Sequence, residues 1–240
     1  TFLPDGAVGG HASAQVGGYL VLFALSSIEW RLKGADDFGW AGRVQIFLFF
    51  IAALLLCTGV LLNIQPLLGI FIPLDIIGVI IFLVRVGPRV VGAKWLEPTS
   101  SRFYAIAVPW IIANLATTIY AVVQLISKGP GGFDFNLFTA ADHMIFLGVM
   151  TNLAFGLMHD FTADRSHVLP YAENVVFWVM NIALVGFVVS LISGTQAAEK
   201  LFVPFQGLAI LLGIVAFSMR LATAPGETPD AVQPAPAAAG

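Results

Sequence analysis

Polar residues in this chain fall in short clusters, and between the clusters lie apolar runs of about twenty residues, the length a helix needs to cross the hydrocarbon core of a bilayer. Seven runs can be marked off by charges, Pro, Gly or Asn: His11 to Trp30, Val44 to Asn63, Leu67 to Val86, Tyr104 to Ile126, Leu137 to Met158, Val175 to Ser193 and Leu201 to Leu221. None alternates as a barrel strand does, and an open sheet cannot satisfy its backbone in lipid. The pattern predicts an all-α integral membrane protein, a bundle of seven transmembrane helices within residues 1–222. Asn63-Ile64-Gln65-Pro66 is all that joins the second run to the third, which predicts an antiparallel hairpin. Residues 223–240 carry Pro225, Pro229, Pro234 and Pro236 among Ala and Gly, too little apolar surface for a core, and are expected to be a disordered tail.

Composition turns this pattern into exclusions. Of 240 residues, 58% are hydrophobic and only 10% charged, against about a quarter charged in an ordinary globular chain. A soluble enzyme and a disulfide-stapled secreted domain are excluded. Eleven scattered cations and a net charge of -3 cannot form the basic face of a nucleic-acid binder. The one cysteine, Cys57, permits neither an internal disulfide nor the Cys-x-x-Cys-His attachment of covalent haem. Thr1 opens the sequence in place of Met, so the start is expected to be trimmed, and no cleavable signal pattern is read within it.

Charge placement supplies a direction. Arg31, Lys33, Arg43, Arg85, Arg89, Lys94, Arg102, Arg165 and Arg220 fall on one set of loops, and only Lys128 and Lys200 on the other. Cytoplasmic loops collect Lys and Arg, so the N-terminus is expected outside and the C-terminus in the cytoplasm, as a multi-pass protein of the cell inner membrane. Trp30, Trp40 and Trp95 then fall at the cytoplasmic interface, where they read as anchors. No internal repeat of the inverted-transporter kind is evident.

This direction sorts the four histidines. His11 opens the first run and His143 lies about two turns into the fifth, both toward the outside; His159 and His167 bracket Asp160, Asp164 and Arg165 toward the cytoplasm. Neutral imidazole is a common axial ligand of haem iron, and two histidines at one depth on facing helices can hold a haem between them. At three- and four-residue steps His11, Gln15, Gly18, Leu22, Ser26 and Glu29 share one stripe of the first helix, a polar and small stripe expected to face the bundle interior. Gly17 and Gly18 there, and Gly148 one turn beyond His143, offer close approach to a flat macrocycle. The blander reading stands beside this one: interfacial histidines serve as solvated end groups and small residues as packing surfaces. His159 and His167 read as helix caps or partners of their acidic neighbours.

Asp75, near the middle of the third run in Ile72-Pro73-Leu74-Asp75-Ile76, carries a carboxyl at a depth that costs several kcal/mol unless it is protonated or paired. It reads equally as a proton or hydrogen-bond relay and as a neutral acid bonded to a neighbouring helix. Asn114, Asn152, Asn181 and Gln206 read as interhelical glue.

Two segments resemble the family of NnrS-like membrane haem proteins, distantly related to subunit I of the heme-copper oxidases. Gly10-His11-Ala12-Ser13-Ala14-Gln15-Val16-Gly17-Gly18-Tyr19-Leu20, followed by Glu29-Trp30-Arg31, is similar to that family's span opened by a histidine, with glycines one to two turns on and an acidic-basic pair at the far end. Asp142-His143-Met144-Ile145-Phe146-Leu147-Gly148-Val149-Met150-Thr151 is similar to its His-x4-Gly-x2-Thr segments. The resemblance implies haem bound by His11 and His143. It departs from the oxidases in that four histidines are too few for two haems and a copper, so a complete haem-copper centre is excluded by counting. The expectation is one haem b, bis-histidine, with Gln15, Gly18 and Gly148 beside it, in a cytochrome b-like electron-transfer subunit of a larger respiratory complex. Its partners would be other membrane subunits, a periplasmic redox protein or a quinone. A haem-free structural or assembly subunit and a small-solute transporter using Asp75 are the alternatives.

Overall fold

The computed structural model describes residues 7–34, 39–129, 132, 134–166, 168–169 and 171–223. His167 and the tail beyond Thr223 lie outside the described residues. Every extended element among the described residues is a helix. Helix α1 is an unbroken stack of Ala7–Ser13, a π-helical stretch Ala14–Leu20, and Val21–Lys33. Helices α2 (Gly39–Leu62), α3 (Gln65–Val91) and α4 (Ser100–Lys128) follow. Helix α5 (Asn136–Phe161) contains a second π-helical stretch, Met144–Met150. Helices α6 (Ala172–Ser193) and α7 (Gln196–Ala222) complete the chain. Six of these, α2 to α7, are long and apolar enough to cross a membrane; α1 carries His11, Ser13, Gln15 and paired glycines in its first half.

The expected hairpin is present. Asn63 takes φ 53°, which with the amide of Ile64 donating to the Gly59 carbonyl at 2.9 Å turns the chain between α2 and α3. Pro66 sits in the first turn of α3, where a missing N–H costs nothing. The α2/α3 and α6/α7 hairpins flank a centre made by α1, α4 and α5, with α4 touching α1, α3 and α5. Val21, Leu25 and Ile28 of α1, Phe82 of α3, Ile111 of α4 and Ile145 of α5 meet in the central core.

Outside this core the surface is apolar. Phe47, Val84, Ile182 and Leu208 are each at least 60% exposed, a distribution that water would penalise and lipid accepts. Because lipid tails and Leu are equally apolar, helix association here depends on close steric fit and on polar pairs. Glycine supplies the fit: a side chain at Gly186 of α6 would run into the ring of Phe202 of α7, and one at Gly59 would meet Leu68 across the hairpin at 2.6 Å.

Buried charges gather at one end of the bundle, where α1 finishes and α2 begins, hereafter the charged end. Arg85 of α3 donates to Glu29 of α1 at 2.7 Å and to Gln45 of α2 at 2.8 Å, and Gln45 donates back to Glu29 at 2.6 Å. Tyr104 of α4 donates to Asp160 of α5 at 2.6 Å, and Arg31 of α1 joins both. Glu173 of α6 accepts from Arg220 of α7 at 2.6 Å, with His159 of α5 at 3.1 Å. Three networks thus tie all seven helices together at this end, and the one through Arg31, Tyr104 and Asp160 joins helices remote in sequence. Trp30 and Trp40 are exposed here as interfacial anchors are, whereas Trp95 packs partly into the core of α4, α5, α6 and α7.

Arg220→Ala is expected to cost about 3–5 kcal/mol, because Glu173 loses its guanidinium while remaining buried. Thermal unfolding in detergent, followed by loss of monodisperse protein, measures this. Arg220→Met combined with Glu173→Gln should recover part of the loss, since the uncompensated carboxylate is then gone while the buried Arg102 loses its neighbouring acid.

Candidate functional site

The end of the bundle opposite the charged end holds both histidines singled out by sequence, and each precedes an irregular stretch of its helix. The π-helical segment of α1 starts three residues past His11, and that of α5 starts directly after His143. A π turn bonds i to i+5, is rare, and often marks a functional site. Here there are two, on different helices, and they touch one another.

The wider turn has a direct consequence for α1. Phase counted at 3.6 residues per turn from Glu29 back to His11 does not survive seven residues of π geometry. The expected interior stripe is divided: Glu29 is buried, whereas His11 and Gln15, before and within the π stretch, are exposed; Ser26 is exposed too, at the edge of the stripe within the regular turns. The buried side of α1 is formed by Ser13, Val21, Leu25 and Ile28. Gly17 and Gly18 lie against α2, where added methyls would stand 3.2 Å from Leu56 and 3.7 Å from Ala53. Gly148 is filled by α4, since a side chain there would fall 2.6 Å from Trp110. Gly18 and Gly148 thus lie against neighbouring helices, and Gly17 also lines the cavity between α1 and α5.

His143 is half-buried and held on two sides. Its Nδ1 lies 2.7 Å from the Thr139 carbonyl, and its ring stands edge-on to Phe187 of α6 at 4.9 Å. A carbonyl only accepts, so Nδ1 carries the proton; in the neutral ring Nε2 keeps its lone pair, with no hydrogen bond among the described residues. His11 likewise makes no hydrogen bond among the described residues and stands at the exposed edge of α1.

Between α1 and α5, in the same half of the bundle, lies a cavity of about 380 Å³. All of α1 to α5 contribute: Ser13 and Val16, then Phe49 and Leu56, then Phe71 and Asp75, then Asn114, Leu115 and Thr118, and finally Phe138, Thr139 and Asp142. Neither His11 nor His143 lines it; their neighbours Ala12 and Asp142 do, which puts the two histidines at its margins. Asp75 is 2% exposed and has no hydrogen-bond partner among the described residues, its Oδ2 wholly enclosed. The interhelical bond offered as one reading of this residue is thus not made. Asn114 donates Nδ2 to the Ala141 carbonyl at 2.7 Å, leaving its Oδ1 as an acceptor beside the cavity.

The other buried amides are accounted for by structure. Asn152 of α5 and Asn181 of α6 bond reciprocally at 3.0 and 3.2 Å, and Trp110 of α4 donates Nε1 to Asn181 Oδ1 at 2.8 Å. This is the interhelical glue that sequence predicts. Gln206 departs from it: both amide atoms are buried without a partner among the described residues. His159 has Nε2 2.8 Å from the Pro98 carbonyl and 3.1 Å from Glu173, an acid on another helix in place of the adjacent ones that sequence suggests.

The sequence reading missed the cavity, and with it Asp142 and Asn114 as companions of Asp75. These residues sit on α5, α4 and α3, and no periodicity within one helix relates them. The chain matches no protein-family model, and no curated protein and no solved structure shows significant similarity to it.

Asn181→Leu is expected to lower stability by about 1–3 kcal/mol, because Trp110 Nε1 and Asn152 both lose a buried partner. Thermal unfolding in detergent, with Trp fluorescence reporting the indole environment, is the measurement.

Proposed function

We propose that this protein is a haem b-binding electron-transfer subunit working at the outer face of a bacterial-type inner membrane. In this reading seven helices cross, with the N-terminus outside and the C-terminus in the cytoplasm. The nine-to-two division of Lys and Arg between loop sets supports that direction. The packing of α1 supports its counting as a span, because it follows α2 over its whole height. Gly10 of α1 meets Leu61 and accepts from Cys57 Sγ at 3.3 Å near one end, and Glu29 meets Gln45 at the other.

The observation that carries the haem reading is the orientation of His143. An imidazole that ligates a metal almost always gives its other N–H to a carbonyl or carboxylate, which sets the tautomer and aims the lone pair. Thr139 does this to Nδ1, and Phe187 limits rotation of the ring, so Nε2 keeps a held lone pair with which His143 would bind the haem iron. His11, on the helix whose π stretch touches that of α5, would supply the second axial nitrogen from its exposed edge. Gln15, one turn beyond His11 and exposed on α1, is placed to hydrogen-bond a polar substituent of the same group. A haem held there supplies a one-electron iron couple. A periplasmic redox protein, a quinone or other membrane subunits would complete the electron path, as in a respiratory complex.

The purified protein, made with ample haem, should show a Soret band and a sharp reduced-minus-oxidised α-band. His143→Ala should abolish both, and His11→Ala should convert the low-spin spectrum to a high-spin one. Absence of any Soret band in the unaltered protein removes the proposal, and a spectrum that survives both substitutions rejects these ligands.

A further inference from the structure

We propose that the cavity between α1 and α5 binds a small organic cation, an ammonium group carried on an apolar body. Charge is the first ground. Asp75 and Asp142 are the only ionisable residues on its walls, and no Lys, Arg or His lines it. Two acidic side chains and no basic one on an apolar wall give the chamber a preference for a positively charged ligand over a negative one.

The state of Asp75 is the second and independent ground. The side chain is 2% exposed, lines the cavity, and has no hydrogen-bond partner among the described residues. An enclosed polar group of this kind is rare in a folded protein and calls for an explanation from outside the chain. A donor entering the cavity provides one. The remaining polar groups can also accept: Asn114 presents Oδ1 with one N–H of Nδ2 spent on the Ala141 carbonyl, Thr139 spends its hydroxyl proton on the Phe135 carbonyl at 3.3 Å, and the Ser13 and Thr118 hydroxyls accept as readily as they donate. The site therefore offers carboxyl and amide acceptors and no fixed cationic donor, which favours an N–H group over an anion.

The walls choose the rest of the ligand. Phe49, Phe71 and Phe138, with Leu56 and Leu115, take an apolar body, and aromatic rings attract a cation while repelling an anion. A volume of about 380 Å³ lies within the usual size range of small-molecule pockets. A neutral alcohol of the same shape would satisfy the acceptors but leave the carboxylates uncompensated, so charge and not shape alone is the discriminating property.

The test is isothermal titration of the full chain in detergent, corrected for empty micelles, with 2-phenylethylamine, 2-phenylethanol and phenylacetate as probes. The amine should bind at least tenfold more tightly than the alcohol, with no measurable heat from the acid. Asp75→Asn should weaken the amine at least tenfold, and Thr118→Trp, which fills the chamber without touching a carboxylate, should abolish binding. Equal affinity for amine and alcohol, no binding of the amine, or unchanged binding in Asp75→Asn overturns the proposal. Should Asp75→Asn fail to fold, the probe comparison on the unaltered protein and the Thr118→Trp titration still decide it. The readout is a heat of amine binding and not an absorption band, so this proposal and the haem reading fail separately.

Discussion

Hydrocarbon offers no hydrogen bonds, and the rest of this structure follows from that constraint: every polar group within the bundle must find its partner in the protein. Glu29, Gln45 and Arg85 answer it by joining α1, α2 and α3. Glu173, Arg220 and His159 answer it for α5, α6 and α7. Asn152, Asn181 and Trp110 do the same nearer the middle of α4, α5 and α6. Since apolar contact alone distinguishes poorly between helix and lipid, these pairs and the glycine contacts settle which helices are neighbours.

The same constraint makes exceptions informative. Asp75 and Gln206 are buried without partners among the described residues. Gln206 stands on α7 and does not line the cavity, and nothing in the structure accounts for it. Asp75 faces a chamber large enough for a ligand. The bundle is therefore unequal along its height: the charged end is tied by three networks, and the histidine end holds the cavity, both π stretches and an uncommitted carboxyl. Tight ties at one end and unfilled polar capacity at the other is the arrangement expected of a protein that binds something in the histidine half.

Much of the architecture was legible in the sequence because the signals are local or additive. Apolar length marks a span, Asn63 to Pro66 marks a tight hairpin, and a buried Asn in a span announces a partner without naming it. The candidate site was legible only in part. His143 could be nominated from depth, but its aimed Nε2 depends on the Thr139 carbonyl and on Phe187 of another helix. Gly18 and Gly148 could be nominated for a macrocycle, and Ala53 and Trp110 are what lie against them here, since a gap for a flat ligand and a gap for a neighbouring side chain produce the same glycine.

The sequence by itself determined that the chain lives among lipid, that its apolar runs are helices, and which residues are chemically capable of holding a metal or a proton. Free energies of transfer and backbone hydrogen bonding act along the chain, so composition and run length are enough. Only the tertiary structure decided which way α1 faces, because seven residues of π geometry rotate His11 and Gln15 out of phase with Glu29. It alone brought Asp75, Asn114 and Asp142 to one cavity. Those residues are related through packing of five helices, and packing depends on side-chain shape across neighbours, which no period within a single helix records.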